Sequence, residues 1–333
     1  MGYLFVNENG ATIGIEANQF YVKYKDGLKK MIPAESLESI TVLGKVQLTT
    51  QCIEECLKRG IPVAYFSKGG TYFGRLSSTG HVNAQRQRKQ SELYDTDFAL
   101  ELSRKIIMAK LKNQCVVAKR YALGKVENVD ESLKEMKICQ QMCRDATSIH
   151  QLMGYEGYGA KKYFEILSHA IDPEFRFNGR SKRPPKDEFN SMISFGYSIL
   201  MNEVYSKIEL KGLNPYFGFM HRDAENHPTL ASDLMEEWRA VLIDSTVISL
   251  INGHEITKAD FERKPEDQGY YITRTGLSIY LKKLERKFQT DMKYLDYVDY
   301  VVSFRRAIAL QINSLTKAID AVDPSLYHPI TIR

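Results

Sequence analysis

Through roughly its first eighty residues the chain alternates apolar and polar positions, and from about Asn83 onward apolar positions recur every three or four residues. The first pattern predicts strands and the second predicts amphipathic helices. Tyr3 to Val6 and Thr12 to Ile15 read as strands. Phe20, Val22 and Tyr24 then alternate with Tyr21, Lys23 and Lys25 before an Asp26-Gly27 turn into Leu28 to Ile32, the pattern of a hairpin. One short helix is predicted from about Thr49 to Arg59, with Ile53, Cys56 and Leu57 on one face and Gly60 to stop it. Extended structure resumes at Ile61 to Phe66, and Gly69-Gly70 turns the chain into Tyr72 to Leu76. Beyond that, helices are predicted over Phe98 to Leu123, Ser132 to Ser168, Asp187 to Ile208, Leu230 to Ile251, Thr275 to Thr290 and Val298 to Ile319. The expected fold class is α+β, with a small N-terminal β-strand-rich domain, residues 1–83, followed by a larger all-α domain, residues 84–333.

A length of 333 residues with 43% hydrophobic content gives ample core for two such domains. The net charge of +5 is a small bias, so a surface for a polyanion has to be local. Between Lys161 and Lys186 seven Lys or Arg stand against three Asp or Glu. Most of that excess falls in Phe175 to Lys186, where Pro184 and Pro185 bar a helix, so the cations sit on a connector rather than on a solvated helical face. Five cysteines, an odd number with no Cys-x-x-Cys, suit a reducing compartment and core packing. The N-terminus carries neither a basic region nor an apolar leader, and no apolar run approaches the ~20 residues of a spanning helix. A cytoplasmic protein without membrane partners is expected.

Walker A loops, dinucleotide-binding glycine fingerprints, nucleophile elbows and His-Glu-x-x-His are missing from the sequence, which argues against nucleotide hydrolysis and covalent serine chemistry. Three residues stand out instead. Glu156 is flanked by Gly154, Gly157 and Gly159 inside a helical pattern; each interior glycine costs about 1 kcal/mol against alanine, so three of them imply close packing or close approach of a ligand. His221 ends an aromatic, glycine-containing approach from Leu213, whereas His227, six residues on, reads as surface. Glu236 lies on the predicted helix Leu230 to Ile251, about 60° around the wheel from Asp233 on a common side, where the two carboxylates would share a cation. Arg239, three residues on, would neutralise Glu236 or reach a phosphate. Acids early in a helix also simply favour its positive end. Brought together, Glu156, His221 and Glu236 would make an oxygen-rich site with one nitrogen ligand, suited to Mg2+ or Mn2+ beside a phosphodiester. Lys161, Lys162 and Tyr163 would supply cations and a ring to one side.

Taken in order, Gly154-Tyr155-Glu156-Gly157 with Ala160 and Tyr163-Phe164, the loop Arg180 to Asn190, Gly212 to His221, and Leu230 to Arg239 resemble the CRISPR-associated integrase and endonuclease family, the large subunit of the spacer-acquisition complex. The resemblance spans the chain. It implies a divalent-metal site of Glu156, His221 and Glu236 with Asp233 in support, and an N-terminal domain for dimerisation and DNA contact. The implied reaction is transesterification, in which the 3′-hydroxyl of a captured DNA fragment attacks a phosphodiester at the repeat border of a CRISPR array. Implied partners are double-stranded DNA (spacer precursor and repeat), a homodimer mate and a small ferredoxin-like CRISPR-associated subunit. Some members carry aspartate at the position of Glu236. For DNA contacts the expected set is Arg176, Arg180, Lys182 and Arg183, with Lys161, Lys162 and Arg239 nearer the site and Tyr163 and Tyr216 stacking or orienting substrate. Rival readings are a non-catalytic DNA-binding assembly subunit and a small-molecule metal phosphohydrolase.

Overall fold

The computed structural model describes every residue except Met1, Asn128, Tyr294 and Asp296, and the chain divides into two compact units, Met1–Val82 and Asn83–Arg333. The first unit holds β1 (Gly2–Val6), β2 (Thr12–Glu16), β3 (Gln19–Lys23), β4 (Lys29–Pro33), β5 (Leu37–Leu43), β6 (Gln47–Leu48), α1 (Thr50–Arg59), β7 (Val63–Phe66) and β8 (Tyr72–Leu76). They form two four-stranded sheets. In one, ordered β1-β5-β7-β8, β1, β5 and β7 run parallel to one another and β8 is antiparallel to β7; in the other, ordered β4-β3-β2-β6, β2, β3 and β4 make an antiparallel meander. The strand β5 was not foreseen. Its run Ile40 to Leu43 is buried continuously, so it lacks the two-residue alternation of a half-exposed strand. Helix α1 is capped by the Thr49 hydroxyl, which accepts from the Cys52 N–H, and ends on Gly60 in the left-handed region at φ 67°. Cys52 and Cys56 pack into the core of this unit with Ile13, Phe20, Ile40 and Val63.

The second unit is built from α2 (Ala84–Glu92), α3 (Asp97–Ala122), α4 (Val129–Arg144), α5 (Ile149–Ala170), α6 (Glu188–Leu210), α7 (Thr229–Trp238), α8 (Ser245–Asn252), α9 (Arg274–Gln289) and α10 (Phe304–Ala321). Two short strand pairs, Phe261–Arg263 with Tyr270–Ile272 and Asp291–Met292 with Val302–Ser303, interrupt the helices. The predicted helix from Ser132 to Ser168 is two: the chain breaks after Arg144 and restarts where the Ser148 hydroxyl accepts from the Gln151 N–H. The predicted helix from Leu230 to Ile251 is continuous only in direction, because Arg239–Asp244 between α7 and α8 is wound as π-helix.

Helices α3, α4 and α5 pack on one another, while α7 packs against α3 and α6. Gly159 allows the first of these approaches: a Cβ there would lie 2.5 Å from Leu111 Cδ2, whereas at Gly154 and Gly157 it would meet open space. The glycines flanking Glu156 therefore serve one close contact and one open face. No helix among the described residues is long and apolar enough to cross a membrane.

Candidate functional site

Three helices converge on one lysine. Lys110, at a core position of α3 and only 6% exposed, places its ammonium between Glu156 Oε1 of α5, a very close contact, and Glu236 Oε2 of α7 at 2.5 Å. Arg239 Nη2 reaches the other oxygen of Glu236, Oε1, at 3.0 Å, and its guanidinium lies over the Tyr197 ring, 5.0 Å from the centroid. His221 Nε2 stands 3.8 Å from Glu236 Oε1. Glu236 thus links the set, facing Glu156 across Lys110 through one oxygen and His221 through the other, and Lys110 is not among the residues singled out from the sequence.

The imidazole is held from behind. Asp233 is fully buried; its Oδ1 accepts from His221 Nδ1 at 2.6 Å and from the His221 backbone N–H, while Oδ2 accepts the N–H groups of Phe219 and Met220. A carboxylate accepts only, so Nδ1 carries the proton and Nε2 faces Glu236. Gly218 makes this approach possible: a Cβ there would fall 2.8 Å from Thr229 and 2.9 Å from Asp233 Oδ2. Asp233 and Glu236 therefore do not share a cation as the helical wheel suggested, since the loop before His221 captures Asp233. His227 is likewise not a free surface residue; its Nε2 is 3.0 Å from Ser232 Oγ and its ring packs edge-on to His221 at 6.3 Å.

Charge in the cluster follows its neighbours. Burial pushes the Glu236 carboxyl up, but Arg239, Lys110 and His221 outweigh it and hold the group down at about 2. Burial pulls Lys110 down, and the two glutamates outweigh it and raise it. Burial pulls His221 down too, yet the hydrogen bond and charge of Asp233 leave it above its ordinary value.

Through Lys110, Glu156 and Arg239 the cluster opens on a cleft of ≈ 850 Å³ whose lining also includes Gly157 and the cations Lys161, Arg176, Arg180 and Lys182. The connector Phe175 to Lys186 is fastened by Asn190, which accepts from Arg180 Nη1 at 2.5 Å and the Ser181 N–H and donates to the Gly179 carbonyl, and by Phe177 stacked on Phe189 at 4.1 Å. Arg176 and Lys182 are exposed at the rim, whereas Arg180 is drawn inward over Tyr197 and Phe164. Other expected contacts are placed elsewhere. Tyr163 is fully buried and donates to Asp244 Oδ2 at 3.0 Å, so its ring belongs to the core and stacks on no substrate. Lys162 pairs with Glu135 at 3.2 Å, Arg183 is exposed outside the cleft lining, and Tyr216 is exposed with its ring edge-on to Tyr205.

As it stands the cluster has the donors of a hard-cation site without the spacing of one. Two carboxylates and an imidazole nitrogen suit Mg2+ or Mn2+, yet among the described residues no three His, Cys, Asp or Glu side chains are set to hold a metal ion. The cation between the carboxylates is the lysine ammonium. It stands where a metal bound by both would be, and to that extent the donor set fits such a group.

A strand-rich unit of two small sheets followed by a helical unit is an architecture shared with known proteins. The profile of the family described as CRISPR associated protein Cas1 matches residues 4–286, and the chain belongs to that family. A CRISPR-associated endonuclease Cas1 from Mycobacterium tuberculosis is 35% identical over 326 residues, covering 98% of this chain and 96% of that protein. Among solved structures, a chain of a Cas6-RT-Cas1–Cas2 complex superposes with a TM-score of 0.86 at 23% identity, covering all (100%) of this chain and 36% of that one. A casposase bound to its integration product superposes with a TM-score of 0.83 at 21% identity, covering 97% and 92%. At those identities the two superpositions establish the fold.

Proposed function

We propose that the chain is a divalent-metal-dependent DNA endonuclease and integrase that inserts new spacer DNA into a CRISPR array by attack of a 3′-hydroxyl on a phosphodiester. The observation that carries this reading is the convergence of Glu156 and Glu236 on a buried cation, with His221 Nε2 facing the other oxygen of Glu236, beside a cleft lined by Lys161, Arg176, Lys182 and Arg239. Membership of the Cas1 family and a curated relative named as an endonuclease support it, and the shared fold of a casposase captured with an integration product is in keeping with it.

Glu156, Glu236 and His221 would hold Mg2+ or Mn2+. Such an ion supplies Lewis-acid polarisation of a phosphoryl oxygen and stabilises the charge that develops on it. The remaining work falls to side chains. Asp233 fixes the proton on His221 Nδ1 and the orientation of the ring, which leaves Nε2 available. Arg239 keeps Glu236 ionised and braces it from the cleft side. Exposed Arg176 and Lys182 neutralise phosphates along the rim and position the strand, while the attacking oxygen comes from DNA, so no protein nucleophile is required. A homodimer working with a small CRISPR-associated partner belongs to this reading, and the Cas1–Cas2 complex of one structural neighbour is in keeping with the partner.

Strand transfer of a 3′-hydroxyl oligonucleotide into a repeat-containing duplex, with Mg2+ or Mn2+, tests the reading. Wild-type protein should join the strands, and Glu156→Ala and His221→Ala should not. Equal joining by all three would return the protein to the class of assembly subunits.

A further inference from the structure

We propose that Lys110 is a built-in place-holder: its ammonium occupies the position of the divalent cation in the metal-free protein and withdraws into the cleft when that cation binds. The proposal rests on the metal reading of Glu156, Glu236 and His221 and adds a residue that reading did not contain.

Glu236 is 3% exposed and the Glu156 side chain 14% exposed, and they reach toward each other from different helices. Two carboxylates so placed repel, and a buried charge left unmatched is strongly destabilising. The Lys110 ammonium supplies the missing charge, with one contact to each acid. With Arg239 on Glu236, the four side chains sum to zero net charge. The cluster is therefore charge-balanced without a metal, and one oxygen of each glutamate faces the ammonium.

A divalent cation drawn to the same carboxylates needs the same lone pairs. It would also face an ammonium at contact distance in a poorly screened pocket, where like charges repel strongly. The lysine and the metal cannot share the space. Of the two basic groups present, Arg239 is pinned by its carboxylate contact and by Tyr197 beneath its guanidinium, whereas Lys110 ends in a flexible four-carbon stem and itself lines the cleft. Lys110 is the group free to leave, and the space beside it is the cleft. There a phosphate would receive the displaced ammonium, so metal and polyanion binding should favour each other by one coupling free energy.

Titration of the full-length protein with Mn2+, following the free-ion electron paramagnetic resonance signal with and without a short duplex, tests this. Lys110→Met removes the competitor and should bind Mn2+ about tenfold or more tightly than wild type, with a lower melting temperature in chelator and a larger Mn2+-induced rise. Lys110→Arg keeps a bulkier, forked cation in place and should bind Mn2+ more weakly than wild type while melting near it; this variant carries the test if Lys110→Met does not fold. The duplex should tighten Mn2+ binding in wild type and have less effect in Lys110→Met. Wild-type binding that is lost in Glu156→Ala but is no tighter in Lys110→Met, or no weaker in Lys110→Arg, overturns the place-holder and leaves the metal site standing. Failure of wild type itself to take up Mn2+ at millimolar concentration overturns both.

Discussion

Glu236 and Glu237 are neighbours on one helix, both buried, and the protein gives them opposite chemistry. Glu236 faces Lys110, Arg239 and His221, and these hold its carboxyl down at about 2 against the upward push of burial. Glu237 points away from the cleft, where Tyr327 Oη lies 2.6 Å from Oε1, the Ile330 N–H donates to Oε2 at 2.6 Å and Gln311 Nε2 donates to Oε2 at 3.0 Å. Burial pushes that carboxyl up to about 8 despite these bonds. At Glu237 burial outweighs the hydrogen bonds, whereas at Glu236 the facing cations outweigh burial. The helix accordingly has a charged side for the cleft and a neutral side that grips the C-terminal segment. Asn113 completes the grip, donating to the Glu237 and Ile330 carbonyls and accepting from the Ile332 N–H. Asn113 and Lys110 share α3, so the helices that form the site are tied together from behind by the end of the chain.

The comparison breaks most visibly through activity. Glu236→Gln keeps the shape and removes the charge and one donor; strand transfer should fall by roughly 10²–10³-fold, whereas Glu237→Gln should transfer strands at close to the wild-type rate. Equal losses in the two variants would mean that the two sides of the helix are not separate. Next in size is stability. Glu237→Ala leaves Tyr327 and the Ile330 N–H without their acceptor and should cost about 3 kcal/mol in denaturant unfolding; a change under ~0.5 kcal/mol would show that the C-terminal grip contributes nothing. The pH dependence comes third. A carboxyl raised to about 8 binds its proton more tightly in the folded state, so its contribution is full below the ordinary carboxylate range and is lost as pH rises through 8. Asp244, raised by burial to about 6, acts in the same direction over a lower window. Glu236 is depressed, so its contribution is present above the ordinary range and is lost as pH falls toward 2. The melting temperature should therefore decline between about pH 5 and pH 8 in wild type and decline less in Glu237→Gln; parallel curves would assign the slope to other groups.

Much of this was legible in residues whose surroundings are local. The Thr49 cap, the Gly60 stop and the helices ending near Leu123 and Leu210 follow from turn chemistry and 3.6-residue periodicity. Glu156 was marked by the glycines beside it. What escaped depended on distant partners. Tyr163 read as a ring beside two lysines, but its hydroxyl finds Asp244 across the π-helical turn, a bond between residues 81 apart in the chain. Lys110 read as one more lysine on a long helix. The available signal was its place in the buried stripe of Ser103, Ile106, Ile107, Gln114 and Val117, where an unpartnered lysine is rare. Its two acids lie 46 and 126 residues downstream, and only tertiary packing names them.

The finest contrast lies along the cleft itself, between cations held inside and cations left at the rim. Arg180 hydrogen-bonds to Asn190 and the Ser181 carbonyl and lies over two aromatic rings, and burial lowers its pKa. Arg176 and Lys182 are exposed on the same connector. A guanidinium already satisfied by protein groups releases few counterions when DNA arrives, whereas an exposed cation that meets a phosphate releases about one. Arg176→Ala and Lys182→Ala should each weaken duplex binding by about two- to fivefold at moderate salt and reduce the slope of log affinity against log salt by about 1. Arg180→Ala should leave that slope nearly unchanged and lower the melting temperature instead, because its loss unfastens the connector from Asn190. Fluorescence anisotropy of a labelled duplex across a salt series separates the two behaviours. A slope change in Arg180→Ala equal to that in Arg176→Ala would place the interior arginine on the phosphate backbone and erase the distinction between rim and interior.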